Sequence, residues 1–326
     1  MTVNPDGTFT ATTIESDGST DNLSGTLSIS SDGIVTLQGD PENIKGSLDS
    51  GKTVMAWTGT WDSGSVGTTE LKVFTKKAAS YSLSDLVGTW EGNSLASGPG
   101  APWWERSTMT VNADGTFTAT TIEYDGSTDN LSGILSISSD GIVTVQGDPE
   151  SLKGSLDSGK TVMAWTGTWD SGSVGTTELK VFTKKAASYS LSDLVGTWEG
   201  NSLASGPGAP WWERSTMTVN ADGTFTATTI ESDGSTDNLS GTLSISSGGI
   251  VTVLGDPEGL KGSLDAGKTV MTWTGTWDSG SVGTTELKVF TSIVRLENCR
   301  TGTFYKKLIK IAGCCIFCLT LSKNRH

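Results

Sequence analysis

The chain has 326 residues, enough for two or three domains, and its composition favours short strands joined by turns. Glycine occurs 42 times, well above a usual share of ~7%, while hydrophobic residues make up only 34%. The net charge is −14 at pH 7, and an acidic body without basic clusters repels a phosphate backbone. The composition therefore argues against nucleic acid as a partner.

Taken in chain order, the sequence repeats itself with a period of 108 residues. The segment that begins at Met1 recurs at Met109 and at Met217. We divide the chain into a truncated repeat (1–80), two full repeats (81–188 and 189–291) and a tail (292–326). A unit of about 100 residues is large enough to fold alone. We expect separate domains whose short linkers leave their mutual angle free.

The strands of a full repeat are predicted from apolar residues that alternate with Thr or Ser, because a strand with one buried face has a period of two. Asp-Gly, Gly-Asp-Pro and Ser-Gly turns separate them. A hairpin with Asp114-Gly115 at its turn joins the second and third strands. In the second repeat the predicted strands begin with 88–95 and this hairpin around residues 108–120, followed by 131–137, 142–145, 152–156, 161–169 and 178–183.

About eight sequential strands with tight turns predict an all-β fold: tandem up-and-down, eight-stranded antiparallel barrels. Closure pairs the last strand with the first and removes both exposed edges. The first copy lacks the equivalent of residues 81–108, including strand 1, so its sheet should be open. The alternative is a repeat of two-sheet β-sandwiches, which needs longer crossover connections.

The segment Ser-Leu-Ser-Asp-Leu-Val-Gly-Thr-Trp at residues 82–90 resembles the entrance of a bacterial lipocalin-like domain of the calycin superfamily. The resemblance implies a helical turn, then a Gly-x-Trp strand, then a long loop over the barrel mouth. It assigns this signature to Gly88 with Trp90 and to Gly196 with Trp198. It also implies a late basic residue packed over each indole, for which the last strand offers Lys180 and Lys288, although alternation turns Lys180 away from Leu179 and Val181.

The repeats contain neither histidine nor cysteine, so they offer no imidazole base, no thiolate nucleophile and no zinc site of the usual kind. We predict no enzymatic activity, no cofactor and no metal. The carboxylates Asp125, Asp129, Asp148 and Glu150 lie at predicted turns, where Asp bonds the local backbone. Residues 125–130 space their oxygens like a calcium loop but lack its glycine and its final glutamate.

Tryptophan marks the candidate ligand site. Trp165 and Trp169 share one face of a strand and are predicted to fill the core. Trp103 and Trp104 follow the longest loop of the repeat, and neighbouring residues of an extended segment point to opposite sides. On a lipocalin-like barrel that loop lies over the open end, so the indoles either contact a ligand or plug the barrel. The candidate ligand-binding residues are Trp103, Trp104 and Arg106 with their copies Trp211, Trp212 and Arg214; Arg106 could also pair with Glu105 at the rim.

The tail after Thr291 has no counterpart elsewhere in the chain. It holds all four cysteines, the only histidine and seven Lys or Arg residues against one acidic residue. We interpret it as a frame-shift or recombination product. Its apolar stretch of residues 311–321 is shorter than the ~20 residues that a membrane span needs. An acidic body rich in Ser, Thr and Gly favours an extracellular or cell-surface location, although no signal peptide opens the chain.

The sequence therefore predicts a non-enzymatic repeat protein. Each barrel would bind a small apolar or sugar-like ligand, such as a lipid or glycan, at its mouth. The alternative function is a structural or adhesive surface array whose solid barrels have no ligand pocket.

Overall fold

The computed structural model describes residues 1–14, 18–39, 44–61, 68–98, 101–147, 152–169, 176–256, 259–277 and 283–293. All of them lie in one compact unit, Met1–Arg295. The first repeat contains β1 (Thr2–Val3), β2 (Thr8–Ile14), β3 (Thr20–Ile29), β4 (Ile34–Leu37), β5 (Lys45–Leu48), β6 (Val54–Trp61) and β7 (Thr68–Thr75).

Each full repeat has eight strands. The second contains β8 (Gly88–Ser97), β9 (Trp103–Val111), β10 (Thr116–Glu123), β11 (Thr128–Ile137), β12 (Ile142–Val145), β13 (Lys153–Leu156), β14 (Val162–Trp169) and β15 (Thr176–Lys184). The third contains β16 (Gly196–Ser205), β17 (Trp211–Val219), β18 (Thr224–Glu231), β19 (Thr236–Ile245), β20 (Ile250–Val253), β21 (Lys261–Leu264), β22 (Val270–Trp277) and β23 (Thr284–Ile293).

The two full repeats are closed antiparallel barrels in which each strand pairs with its neighbours in sequence. Closure pairs the last strand with the first: β15 runs along β8 with Val181 opposite Asn93, and β23 runs along β16 in the same way. The first repeat is a seven-stranded sheet, β1 to β7, without this closure. The predicted barrel, rather than the sandwich, is confirmed, as is the open first copy.

Inside each barrel, aromatic rings lie against glycines of the neighbouring strand. Trp165 of β14 is paired with Gly154 of β13 and covers it. A Cβ at Gly154 would lie 2.1 Å from Cδ1 of Trp165, so only glycine leaves room for the indole. Phe182 covers Gly92 in the same way. The high glycine content of the strands thus serves the packing of the barrel core.

The Gly-x-Trp segment closes one end of each full barrel. Short 3₁₀ turns, Leu83–Asp85 and Leu191–Asp193, precede it, as the resemblance implied. Trp90 is fully buried and its Nε1 donates a hydrogen bond of 2.7 Å to the carbonyl of Leu86. Trp198 bonds Leu194 in the same way, at 2.8 Å.

The basic residue over Trp90 is Lys184, and the assignment to Lys180 is wrong. Lys184 is the cross-strand partner of Trp90, and its Nζ lies 5.2 Å from the centre of the indole ring. Lys180 lies opposite Trp165 on β14 and faces the barrel interior, because strand alternation separates it from Leu179 and Val181. Lys288 faces the interior of the third barrel for the same reason, and Ser292 stands across from Trp198.

The repeats are not separate domains with a free mutual angle, so that expectation is wrong. A core cluster of buried residues draws on all three repeats. It forms because the outward faces of the last two strands of each repeat carry aliphatic side chains, which the neighbouring repeats cover. Its members are Val54, Ala56 and Leu71 of the first repeat, Leu95, Val162 and Val181 of the second, and Val270, Leu287 and Val289 of the third.

Hydrogen bonds between the repeats run in a cycle. Thr75 of the first repeat donates to Ser155 of the second, at 2.8 Å. The equivalent Thr183 of the second repeat contacts Ser263 of the third, also at 2.8 Å. Thr291 of the third repeat contacts Ser47 of the first at the same distance. Each repeat therefore shares one such hydrogen bond with each of the other two.

The last strand extends past the predicted repeat boundary. Ser292 and Ile293 belong to β23, and the carbonyl of Ser292 accepts a hydrogen bond of 2.8 Å from the amide of Ser50. The remainder of the predicted tail, with its cysteines and its histidine, lies outside the described residues. Within the described part of the chain, no helix is long and apolar enough to cross a bilayer.

Candidate functional site

The second barrel contains a cavity of about 630 Å³. It extends from the aromatic core to the open end, where β9 begins and where β10 turns into β11. The apolar part of its wall includes Trp103, Met109, Phe117, Ala119, Leu131, Val145, Leu152, Trp165 and Phe182. Its polar part includes Glu105, Ser107, Thr121, Glu123, Asp125, Ser127, Asp129, Glu178 and Lys180.

The two neighbouring tryptophans lie in β9 rather than in a loop, and alternation along the strand separates them. Trp103 lines the cavity. Trp104 points out of the barrel and is buried against the third repeat, where its Nε1 donates to the hydroxyl of Thr276. One indole thus reaches the predicted site and the other serves an interface between repeats.

Arg106 also leaves the cavity, because it shares the outer face of β9 with Trp104. Its guanidinium carbon lies 4.1 Å from the centre of the Trp104 ring. The side chain donates to the backbone carbonyls of Thr274 and Gly259 in the third repeat, to the latter at 2.9 Å. Burial lowers the pKa of Arg106 to about 10. Arg106 therefore anchors the second repeat on the third and does not pair with Glu105.

The third repeat uses its copies of these residues in the same way. The Nε1 of Trp212 donates to the hydroxyl of Thr60 in the first repeat, at 2.8 Å, and Arg214 donates to Thr58 at 3.1 Å. Trp211 is half-buried and is not among the residues that line the third cavity, which measures only about 190 Å³. Of the six predicted ligand residues, only Trp103 lines a cavity in the second or third barrel.

Charged side chains in the second barrel form a cluster that the sequence analysis missed. The Nζ of Lys180 lies 2.6 Å from Glu105 and 3.2 Å from Glu178, and both carboxylates are buried. Burial alone would lower the pKa of Lys180, but attraction by Glu178 and Glu105 outweighs it and raises this pKa. The alternation of Glu178, Lys180 and Phe182 on one face of β15 was the signal that could have revealed the cluster.

Glu123 sits at the mouth of the cavity and titrates near neutrality. Burial is the largest cause that raises the pKa of its carboxyl to about 7, and repulsion by Glu105 and Asp129 adds to the effect. Lys180 opposes the shift but is already engaged by Glu105. The mouth therefore gains negative charge as the pH rises through 7.

Trp165 presents a buried indole N–H to this part of the barrel. Among the residues that the structure describes, its Nε1 has no hydrogen-bond partner. The side chain lines the cavity, and its ring centre lies 5.1 Å from that of Phe182. A buried donor without an acceptor is costly, so a ligand that supplies an acceptor at this point would bind favourably.

Of the predicted turn carboxylates, Asp125 lies at a turn, whereas Asp129 lies in β11 opposite Thr121, so the prediction of a turn is wrong for Asp129. Asp125 accepts a hydrogen bond of 2.8 Å from the amide of Ser127, and contacts with Ser127 hold the pKa of Asp125 below its usual value. Asp148 and Glu150 lie outside the described residues. The described part of the chain contains no cluster of three or more His, Cys, Asp or Glu side chains arranged for a metal ion.

The comparisons with known proteins add solved structures of low similarity. No protein-family model matches the chain, and no curated protein matches it. A crystal structure of transferrin binding protein B from Haemophilus parasuis is 10% identical, with a TM-score of 0.37, over 90% of this chain and 65% of that one. The protein of that name from Neisseria meningitidis is 11% identical, with a TM-score of 0.33, over 89% of this chain and 64% of that one.

A third solved structure belongs to a protein of unknown function from the DUF3598 family of Nostoc punctiforme. It is 14% identical, with a TM-score of 0.24, over 64% of this chain and 97% of that one. The chain spans about two thirds of the length of the two transferrin binding proteins.

Proposed function

We propose that this chain is a non-enzymatic binding protein whose second repeat holds a small apolar or sugar-like ligand at the mouth of its barrel. The observation that carries the proposal is the cavity of about 630 Å³, which lies within the ~300–1,000 Å³ usual for ligand pockets. The lipocalin-like entrance segment agrees with such a role. Trp103 supplies an aromatic face at the mouth, on which a sugar ring or an apolar chain can stack.

The wall of the cavity specifies the chemistry of the ligand more closely. Its depth is apolar, since Met109, Phe117 and Phe182 line it. Its mouth is acidic, because Glu123, Asp125 and Asp129 lie there while Lys180 is held by Glu105. A ligand with an apolar body and a cationic or hydroxyl-bearing head satisfies both regions, and the head can donate hydrogen bonds to the carboxylates.

A ligand panel tests this proposal. The full chain is titrated with a retinoid, a long-chain fatty acid, the amine of the same chain length and an oligosaccharide, and binding is followed by calorimetry and by tryptophan fluorescence. We expect the amine to bind more tightly than the fatty acid, because the mouth is acidic. If none of the four compounds binds, the cavity is not a ligand site.

The third repeat supplies the matched control. Trp103→Ala should weaken the binding of the best ligand about tenfold or more, as expected when a contact worth about 1.4 kcal/mol is removed. Trp211→Ala changes the equivalent residue beside the small third cavity and should leave binding unchanged. Equal effects of the two substitutions would point to damage of the fold.

The pH dependence of amine binding tests the role of Glu123. Because the pKa of Glu123 is raised to about 7, its carboxyl is largely neutral at pH 6 and largely ionised at pH 8. The amine should therefore bind more tightly as the pH rises through 7. Glu123→Gln should abolish this rise, whereas Glu231→Gln in the third repeat should preserve it.

A structural or adhesive array is the second candidate function, and two observations favour it. The third barrel is nearly filled, with a cavity of about 190 Å³. Four of the six candidate ligand residues hold neighbouring repeats together instead.

For either function we propose an extracellular or cell-surface location. Repetition of the domain would there add avidity for a multivalent target. Surface labelling of intact cells tests this location.

A further inference from the structure

Each repeat carries the same short motif on equivalent strands, β3, β11 and β19. Residues 22–24, 130–132 and 238–240 all read Asn-Leu-Ser. No other asparagine of the chain is followed, two residues later, by Ser or Thr. Asn-x-Ser and Asn-x-Thr, with x other than Pro, are the acceptor sequences of N-linked glycosylation. The motif therefore marks one candidate modification site in each repeat.

The three asparagines of the motif are exposed to solvent, although their repeats have different neighbours. Asn22 lies in β3, Asn130 in β11 and Asn238 in β19, each within an exposed part of its strand. By contrast, Asn93 and Asn201, which lie outside the motif, are only 3% and 2% exposed because they serve contacts between repeats. Docking of the repeats on one another thus leaves the motif accessible to an enzyme.

The hydrogen bonds of these side chains leave the amide nitrogen free. The hydroxyl of Thr120 donates to Oδ1 of Asn130 at 3.0 Å, and the other two repeats have the equivalent hydrogen bond. Among the described residues, Nδ2 of Asn130 has no hydrogen-bond partner. Asn112 is also exposed but lies outside the motif, and its Nδ2 donates to the hydroxyl of Thr116 at 2.9 Å. The atom that would carry a glycan is therefore unengaged at Asn130 and engaged at Asn112.

The surface around Asn130 leaves room for a glycan. Asn130 lies opposite Thr120 on the outer face of the β10–β11 pair, because the neighbouring Thr121 faces the cavity. The other side chains on this face are short, polar and exposed: Thr118, Thr128 and Ser132. On its second edge, β11 pairs with β12 only at Leu135–Ile137, and no described strand pairs with the residues of β11 before them. A sugar on Asn130 thus projects into solvent without displacing a packed side chain.

We propose that Asn22, Asn130 and Asn238 are N-glycosylated, so that each repeat carries one glycan. Nδ2 of the asparagine forms a bond with the anomeric carbon of an oligosaccharide that is held as a diphosphate on a polyprenyl lipid. The bond between the anomeric carbon and the diphosphate oxygen breaks, the lipid diphosphate leaves with the electron pair, and Nδ2 gives up one proton. The inference rests on the extracellular or cell-surface location proposed above, since this modification belongs to exported proteins.

A glycan at this position also protects a weak point of the barrel. A strand edge without a partner presents backbone groups that can pair with another chain, and the first half of β11 has such an edge among the described residues. Leu131 and Leu239, the middle residues of their motifs, are 50% and 46% exposed. A bulky, hydrophilic glycan beside them hinders the approach of a second chain. The modification therefore keeps the array soluble.

Mass spectrometry of the full chain, isolated from its own cells, tests the inference. We expect glycopeptides at Asn22, Asn130 and Asn238, and each of these residues should be converted to Asp when peptide N-glycosidase acts in water labelled with heavy oxygen. Asn112 and Asn220 are matched controls, because both are exposed but neither has Ser or Thr two residues later. Both should stay unmodified. Absence of a glycan from all three motifs would overturn the inference.

Substitution of the motif's hydroxyl tests whether the sugar is attached through this recognition sequence. Ser132→Ala leaves Asn130 in place but should abolish its glycan, while Asn238 keeps its own. Ser132→Thr should retain both, since either hydroxyl completes the acceptor sequence. Thr118→Ala, at an exposed position of the same face, is the matched control and should leave all three glycans in place. A glycan that persists on Asn130 in Ser132→Ala would contradict the inference.

Surface labelling of intact cells separates this inference from the proposed location. Unmodified motifs on chains that the label reaches would overturn the glycosylation and leave the location standing. Unmodified motifs on chains that the label does not reach would overturn both. The ligand proposal is tested separately, because the panel of compounds probes the cavity on the inner face of the barrel.

Discussion

The second and third repeats are nearly identical in sequence, yet their barrels differ. The cavity measures about 630 Å³ in the second and about 190 Å³ in the third. The third repeat carries the docked Arg106 on Gly259 and Thr274, whereas Thr166 of the second is exposed. The barrel with the smaller cavity is thus the one on which a neighbouring repeat is docked, although the two repeat sequences are nearly the same.

Local contacts in the third repeat agree with this interpretation. Its Leu260 lies over Gly275, where an added Cβ would come within 2.6 Å of the leucine side chain. The amide of Leu260 donates to the carboxylate of Asp256, at 2.7 Å. Leu260 directly follows Gly259, whose carbonyl holds Arg106. The docked arginine thus contacts the residue next to Leu260, and Leu260 lines the third cavity.

Of the substitutions proposed here, removal of the buried lysine in each barrel should give the largest difference in unfolding free energy between the two barrels. Lys288→Met leaves Glu213 and Glu286 buried without a cation, and breaking such a cluster costs about 3–5 kcal/mol of unfolding free energy. Lys180→Met should cost less, because water can enter the larger second cavity. Hydrogen exchange resolved by repeat, together with urea unfolding, measures both.

The open first repeat provides the control for this pair. Lys72 contacts Glu70 at 2.7 Å, with side chains 24% and 29% exposed, so Lys72→Met should cost less than about 1 kcal/mol. The loss of unfolding free energy caused by Lys288→Met should also become smaller as the pH falls, because protonation neutralises the buried carboxylates that have lost their cation. Equal losses at the three positions would contradict the graded burial.

The contact between the third and first repeats can be weakened by a substitution in the third repeat. Trp212→Ala removes an indole that is 4% exposed and its hydrogen bond to Thr60, at a cost of about 3 kcal/mol. The loss should appear as faster amide exchange in β6 of the first repeat, although the substitution lies in the third. Trp211→Ala, at a half-buried neighbour, should leave exchange in β6 unchanged.

The sequence predicted the architecture well and the placement of the site poorly, for one physical reason. The tight turns between about eight successive strands predicted the strand order and the closed barrels, and alternation along a strand predicted that Trp103 and Trp104 point in opposite directions. It does not say whether an outward face meets water or another domain. Trp104 and Arg106 therefore looked like parts of a ligand mouth, although they bind the next repeat.

The charged cluster was missed for a related reason. Glu105 and Lys180 are far apart in sequence and meet only after the barrel closes and brings the two strands together. The placement of Lys180 already followed from alternation, which set it apart from Leu179 and Val181. The cation over Trp90, which the resemblance assigned to Lys180, is supplied by Lys184, four residues further along β15.

The smallest expected effect concerns this cation. Lys184→Ser gives the second repeat the residue that Ser292 supplies in the third, and it removes both the contact with the Trp90 ring and a hydrogen bond of 2.8 Å to the carbonyl of Asp85. Burial lowers the pKa of Lys184, and loss of its contact with the indole ring should cost about 1 kcal/mol. Lys153→Ser, at an exposed position of β13, should change stability by less than about 0.5 kcal/mol. Thermal unfolding of the two variants side by side measures the difference, and since the third barrel closes without this lysine, the second should remain closed in both.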